Sequence, residues 1–208
     1  MLPIETQLTF LLASLLLALA PGPDNIFVLT QSALHGRSAG IVVVLGLCTG
    51  LLFHSCAVAF GIAVIFQSSA LAFSLLKFVG AAYLTYLAWQ AFRTSGSTIQ
   101  GQDTAKINHW QLYRRGIIMN ITNPKVSIFF LAFLPQFADP QQGAIWIQIL
   151  LLAGLFVMTT VLIFGGIAVL AGTLGRWLRE SARIQTILNR SAGTVFLGLA
   201  LKLATTER

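Results

Sequence analysis

One aspartate and one lysine in this sequence stand where charge is costly. Asp24 lies in A-P-G-P-D-N, Ala20–Asn25, and Lys125 in N-I-T-N-P-K, Asn120–Lys125, each inside an apolar run of a chain with only six acids. Proline removes a backbone donor and clashes with the preceding turn, so Pro21, Pro23 and Pro124 should break or unwind their helices. Each break starts a new half-helix with free N–H groups and a positive dipole end, which suits a carboxylate. Asp24 or Asn25, and then Asn123, stand as N-caps, with Pro124 at the first helical position. The two charges can pair with each other. They can equally bind a zwitterion, Asp24 taking an ammonium and Lys125 a carboxylate. An uncharged Asn or Ser would suffice for capping alone, so the charges favour binding over a purely structural role. The candidate binding or proton-coupling residues are Pro21, Gly22, Pro23, Asp24, Asn25, Asn120, Asn123, Pro124 and Lys125.

The surrounding chain decides how deep these residues lie. Of 208 residues, 56% are apolar and 9% charged, with a mean hydropathy of +0.82. A water-soluble domain carries about a quarter charged residues, so the composition is that of an integral membrane protein in contact with lipid. Crossing a bilayer takes about 20 apolar residues, and six runs qualify: Leu8–Leu34, Ala39–Phe66, Leu71–Phe92, Gly116–Phe137, Ile145–Leu174 and Ile187–Ala204. The last is short and carries Lys202, which can snorkel to the headgroups. Strands are excluded by run length and the lack of alternation. If Leu34 and Gly116 mark one membrane edge, Asp24 and Lys125 each sit about 14–15 Å inside at 1.5 Å per residue. That depth is near the middle of a core about 30 Å thick, where an ionisable group costs at least ~2.5–3.5 kcal/mol.

Basic residues gather in alternate loops. The first holds His35 and Arg37; the third Arg93, Lys106, Arg114 and Arg115 against Asp103; the fifth Arg176, Arg179, Arg183 and Arg190 against Glu180. The second has no charge until Lys77, and the fourth has only Asp139. Positive loops face the cytoplasm, so both termini are expected outside. The net charge of +7 is therefore a topology signal. A nucleic-acid partner would need a basic, wetted domain, and none is present. Met1–Thr9 has no Lys or Arg and Pro21 follows Ala18-Leu19-Ala20, so the start is expected to be a retained span rather than a cleaved signal.

The two halves echo each other. At a shift of 113, Lys77 falls on Arg190, Gly80 on Gly193, Tyr83 on Phe196 and Leu84 on Leu197. Pro23 and Pro124 are counterparts in spans one and four. Three spans per half would make the repeat inverted. The expected fold is an all-α integral membrane protein of six transmembrane helices in two inverted three-helix repeats, helices one and four broken at their prolines. Residues 1–92 and 116–208 are the repeats, and 93–115 is a basic cytoplasmic linker. Inverted repeats with matching broken helices point to a secondary transporter.

Other candidates rank lower. Lys77, Gly80 and Tyr83 are read as gating or packing residues. Gly46 and Gly50 form a GxxxG stretch that permits close helix contact, within the chain or in a homo-oligomer. His54 is read as a hydrogen-bonded core histidine in preference to a proton relay. Thr30, Gln31, Ser32, Thr159 and Thr160 could line a path. Cys48 and Cys56 are eight residues apart, about 12 Å along a helix, too far for a disulfide. A membrane enzyme needs a catalytic dyad or metal cluster at depth; Asp24 has no such company, so neither enzyme activity, metal nor cofactor is expected.

Three stretches carry a family likeness: "SLLLALAPGPDNIFVLTQSALHGRSAGI", "LLKFVGAAYLTYLAWQAFR" and "RRGIIMNITNPKVSIFFLAFLPQF". In order, spacing and span number the chain resembles the LysE/RhtB family of bacterial amino-acid exporters. The family's motifs fall on Pro21, Gly22 and Pro23 with Asp24 and Asn25; on Asn123, Pro124 and Lys125; and on Lys77, Gly80, Tyr83 and Leu84. The resemblance implies a multi-pass carrier of the bacterial inner membrane that exports a neutral or basic amino acid such as lysine, homoserine, threonine or leucine, driven by protons. The alternatives to such an antiporter are a passive amino-acid or small-solute channel and a thiol electron carrier. The latter would need cysteines at the breaks.

Overall fold

The structure is a computed structural model that describes residues 2–20, 22–68, 70–93, 108–180 and 182–205. Pro21 and most of the linker, with Asp103 and Lys106, lie outside the described residues. Among those described, every regular element is helical. In chain order these are α1 (Ile4–Leu19), α2 (Pro23–His35), α3 (Arg37–Ser68), α4 (Ala70–Arg93), α5 (His109–Thr122), α6 (Pro124–Ile128), α7 (Ile145–Glu180) and α8 (Ala182–Thr205). Between α6 and α7 the chain runs through a π turn (Phe129–Phe133) and two 3-10 turns.

The expected breaks are present. The pair α1 and α2 bends by 58°, and α5 with the segment Pro124–Phe137 by 50°. Stretches of α3 (Arg37–Gly61) and α7 (Ile145–Ala171) are long and apolar enough to cross a membrane, and counting each bent pair as one span raises the number to four. Helices α4 and α8, 24 residues each, occupy the places expected for spans three and six but fall outside that count. Helix α5 starts at His109, seven residues before the expected boundary, because the Asn108 side chain caps it by accepting from Trp110 N at 3.0 Å. Arg114 and Arg115 therefore ride on a helix rather than in a linker. At the other end of the first span, Gly36 (φ 86°) closes α2 and turns the chain into α3, a backbone state that glycine adopts without strain.

The π turn also has a cause in the sequence. Pro135 cannot donate to Leu131 O, so the α register cannot continue through it. The helix widens one turn earlier, with Leu134 N donating to Phe129 O. The wide turn presents Phe129, Phe130 and Phe133 to a buried aromatic cluster with Phe10, Phe137 and Phe156, ring centroids 5.0–6.2 Å apart. Lys202 on α8 lays its Nζ 4.4 Å from the Phe137 ring centroid.

Glycines set the closest helix contacts. A Cβ on Gly46 would strike Tyr113 O, one on Gly116 would lie 2.7 Å from Val43 O, and one on Gly50 would lie 2.7 Å from Asn120. The GxxxG stretch thus packs α3 on α5 within one chain. Helices α4 and α8 approach in the same way and run antiparallel. A Cβ on Gly80 would strike Ala132 and come within 3.0 Å of Leu203, and one on Gly193 would come within 2.8 Å of the Phe92 ring. Gly80 is thereby a packing residue.

Buried apolar residues form two separate cores. The larger joins α1, α4, α8, the segment after Pro124, and parts of α3 and α7, with Leu51, Val126 and Phe156 among its members. The smaller joins α2 and α5 to the remaining parts of α3 and α7, including Val28, Val43, Leu47, Leu112 and Phe164. Along α3 the division falls between Leu47 and Leu51, and along α7 between Phe156 and Phe164. What lies at that division is polar.

Candidate functional site

The prolines dictate which backbone groups are stranded. In an α-helix Leu17 O would accept from residue 21 and Asn120 O from residue 124; both are prolines, with no N–H to give. A buried carbonyl left without a donor costs about 1–3 kcal/mol, so side chains must supply donors. At the first break Lys125 does so from the other motif: its Nζ donates to Ala20 O at 3.1 Å and Leu17 O at 3.4 Å. Asn25 turns back and donates from Nδ2 to Ala18 O at 2.7 Å. At the second break Asn120 O accepts from Asn123 N at 3.1 Å and is met by His54 Nε2 at 3.3 Å.

The new half-helices start as proline prefers. Pro23 takes the first helical position of α2, so Gly22 is the N-cap residue and offers no side-chain bond. This corrects the expectation for Asp24 and Asn25, neither of which caps. Gly22 has a different use: a Cβ there would sit 2.9 Å from Lys125 Nζ, so glycine leaves room for the ammonium. Asn123 caps α6 as expected, its Oδ1 accepting from Lys125 N at 3.0 Å with Pro124 at the first helical position.

Asp24 and Lys125 come together without bonding each other. Asp24 is 1% exposed and Lys125 6%. Asp24 Oδ2 accepts from Asn120 Nδ2 at 3.4 Å, and Oδ1 has no hydrogen-bond partner among the described residues. Both charges line one small cavity with Asn120, and Leu17, Ala18, Leu51, Val126, Phe156, Thr160 and Phe164 complete the wall. The cavity has room for about one water; an amino acid does not fit it in this conformation. Asn120 Oδ1, Asn25 Oδ1 and Asn123 Nδ2 are also buried without hydrogen-bond partners among the described residues.

Most of the remaining candidates lie away from the cavity. Lys77 Nζ stands 4.8 Å from the Phe78 ring centroid and Tyr83 lies against Tyr86; neither lines the cavity. His54, half-buried beside Phe130, serves as the donor for a stranded carbonyl. Cys48 and Cys56 are free thiols on α3 and outside both breaks. Among the path-lining candidates, Thr160 reaches the cavity and Thr159, Thr30, Gln31 and Ser32 do not. The contributions of Leu51, Phe156 and Phe164 carry no signature in the sequence, since they read as ordinary apolar positions.

A family model described as LysE type translocator matches residues 15–207. An uncharacterized membrane protein of Vibrio cholerae is 33% identical over 204 residues, covering 98% of both chains. A protein of Salmonella typhimurium described as a homoserine/homoserine lactone efflux protein is 34% identical over 200 residues, covering 96% of both. No solved structure matches the chain.

Proposed function

Because the chain belongs to the LysE type translocator family, we propose that it is a multi-pass inner-membrane carrier that exports an amino acid in exchange for protons by alternating access. The observation that carries this reading is the shared cavity. An acid and a base, both buried and each held at a helix break, face one space without being bonded to each other. Their chemistry matches a zwitterion. The substrate carboxylate draws Lys125 from the carbonyls of Leu17 and Ala20, and its ammonium docks on the free Oδ1 of Asp24. When the substrate has left, a proton on Asp24 takes the place of the substrate ammonium while Lys125 returns to the carbonyls of Leu17 and Ala20, so the empty carrier moves back with one proton aboard. The efflux function of the Salmonella relative makes homoserine the first substrate to test.

Six spans in inverted halves fit the same reading. The reciprocal glycine contacts of Gly80 and Gly193 between α4 and α8 fall at positions the 113-residue shift equates. Both breaks receive donors from elsewhere in the fold. With the basic loops inside, both termini face the periplasm. A passive channel is the weaker reading, because the cavity is water-sized and two apolar clusters adjoin it.

The test is efflux of labelled homoserine from loaded proteoliposomes under an imposed pH gradient. Saturable counterflow, accelerated by the gradient in wild type and insensitive to it in Asp24→Asn, is the expected result. Gradient-driven transport by Asp24→Asn at the wild-type rate would remove Asp24 from the proton role. Flux that never saturates would favour the channel.

A further inference from the structure

The part of the cavity wall built by α7 has no role in holding a zwitterion. Phe156, Thr160 and Phe164 recur every four residues, so they share one face of the helix, and all three line the cavity. Among the lining residues the charges are Asp24 and Lys125, and a zwitterionic head group engages both. A substrate side chain with its own charge would find no counter-ion there, and an unpaired buried charge is strongly disfavoured. The uncharged polar side chains of the wall are Asn120 and Thr160. Asn120 spends its Nδ2 on Asp24 and keeps its Oδ1 beside the two charges, where the head group binds.

Thr160 has an oxygen to offer. Its Oγ1 donates its proton to Phe156 O at 2.9 Å, which leaves its lone pairs able to accept from a substrate donor. Its neighbour Thr159 makes the equivalent bond to Leu155 O at 2.9 Å but stands outside the cavity. The two threonines therefore separate a helix-internal role from a role at the cavity.

We propose that the α7 face Phe156–Thr160–Phe164 is the subsite for the substrate side chain, that it takes uncharged side chains, and that Thr160 selects those bearing a hydroxyl. This rests on the amino-acid export proposed for the same site. One neutral hydrogen bond is worth about a tenfold preference.

The experiment uses isosteric pairs: homoserine against norvaline and threonine against valine, with lysine as the charged probe. Initial efflux rates are measured in proteoliposomes holding the full chain. Wild type should favour each hydroxylated member by about tenfold and move lysine least. Thr160→Val should bring both ratios close to one, Thr160→Ser should keep them, and Thr159→Val should leave them unchanged. Ratios are insensitive to the amount of folded protein, so partial loss of a variant does not blur the outcome. Unchanged ratios in Thr160→Val, or lysine exported as fast as homoserine, would overturn the subsite while leaving export intact. If wild type exports none of the five compounds, the export reading falls first and the subsite with it.

Discussion

Replacing Lys125 by methionine separates the two reasons a chain has to bury an ammonium. Methionine keeps most of the packing volume, whereas alanine would add a cavity cost of about 2–5 kcal/mol. The substitution removes the donors to Ala20 O and Leu17 O, at 3.1 and 3.4 Å. Hydrogen bonds from a charged group are worth about 1.5–3 kcal/mol each, and the longer one belongs at the low end because 3.4 Å lies beyond the usual range. The loss is therefore about 3–4 kcal/mol. Against it stands the relief of removing a charge at depth, about 2.5–3.5 kcal/mol. The two nearly cancel, leaving a net cost of about 0.5 kcal/mol once Asp24, its counter-charge gone, carries a proton, against typical stabilities of 5–15 kcal/mol. Lys125→Met should then reach the membrane at normal abundance and unfold in detergent within a few degrees of wild type. Transport should suffer far more. The substrate carboxylate loses a charged partner worth about 1.5–3 kcal/mol, which raises the concentration for half-maximal efflux about 10- to 150-fold. Abundance, thermal unfolding and concentration-dependent homoserine efflux are read on the same preparation. Wild-type half-saturation in a normally folded Lys125→Met would refute the carboxylate role. Loss of the folded protein with no transport-specific effect would make Lys125 a brace for the first break and nothing more.

Other substitutions probe the scaffold. Gly116→Ala puts a methyl against the backbone of Val43, with Gly46 and Leu47 beside it, and no side chain there can give way; we expect a loss of about 1–3 kcal/mol, seen as a lower unfolding temperature in detergent. Asn123→Ala removes the cap of α6 and should cost about 1 kcal/mol, most of it restored by Asn123→Ser, in the same assay. Gln148 is buried and ties down the loop before α7, donating to Asp139 O at 2.8 Å and Gly143 O at 3.0 Å while accepting from Asp139 N. Gln148→Leu should free that loop, and limited proteolysis at residues 138–144 should quicken at least several-fold.

The breaks were legible because proline chemistry is local. Pro21 and Pro124 say at once that Leu17 and Asn120 lose their helical donors, and Pro124 at the first helical position makes Asn123 the cap. The same rule applied to Pro23 names Gly22, and neither Asp24 nor Asn25, as the N-cap residue. What supplies the missing donors was not legible. Lys125 lies 108 residues from Leu17 and His54 66 from Asn120, and only the packed helices bring them together. Thr159 and Thr160 look alike in a sequence; about 100° of helical rotation separates them, and the fold alone decides which meets the cavity. Pro135 signalled the π turn, but a proline near the end of an apolar run reads equally well as a simple stop.

The division of the interior into two cores bears on electrical insulation. A resident of an energised membrane must not leak ions while idle, and a polar layer with a buried acid and base is a hazard if water reaches it from both faces. Along α3 and α7 the cavity falls where the apolar cluster of Leu47 and Phe164 gives way to that of Leu51 and Phe156. On the proposed carrier reading the two would act as resistors in series. Wetting one would then leave the membrane sealed by its partner, so a single polar substitution in either cluster should be harmless to the cell where the pair together would short-circuit the potential.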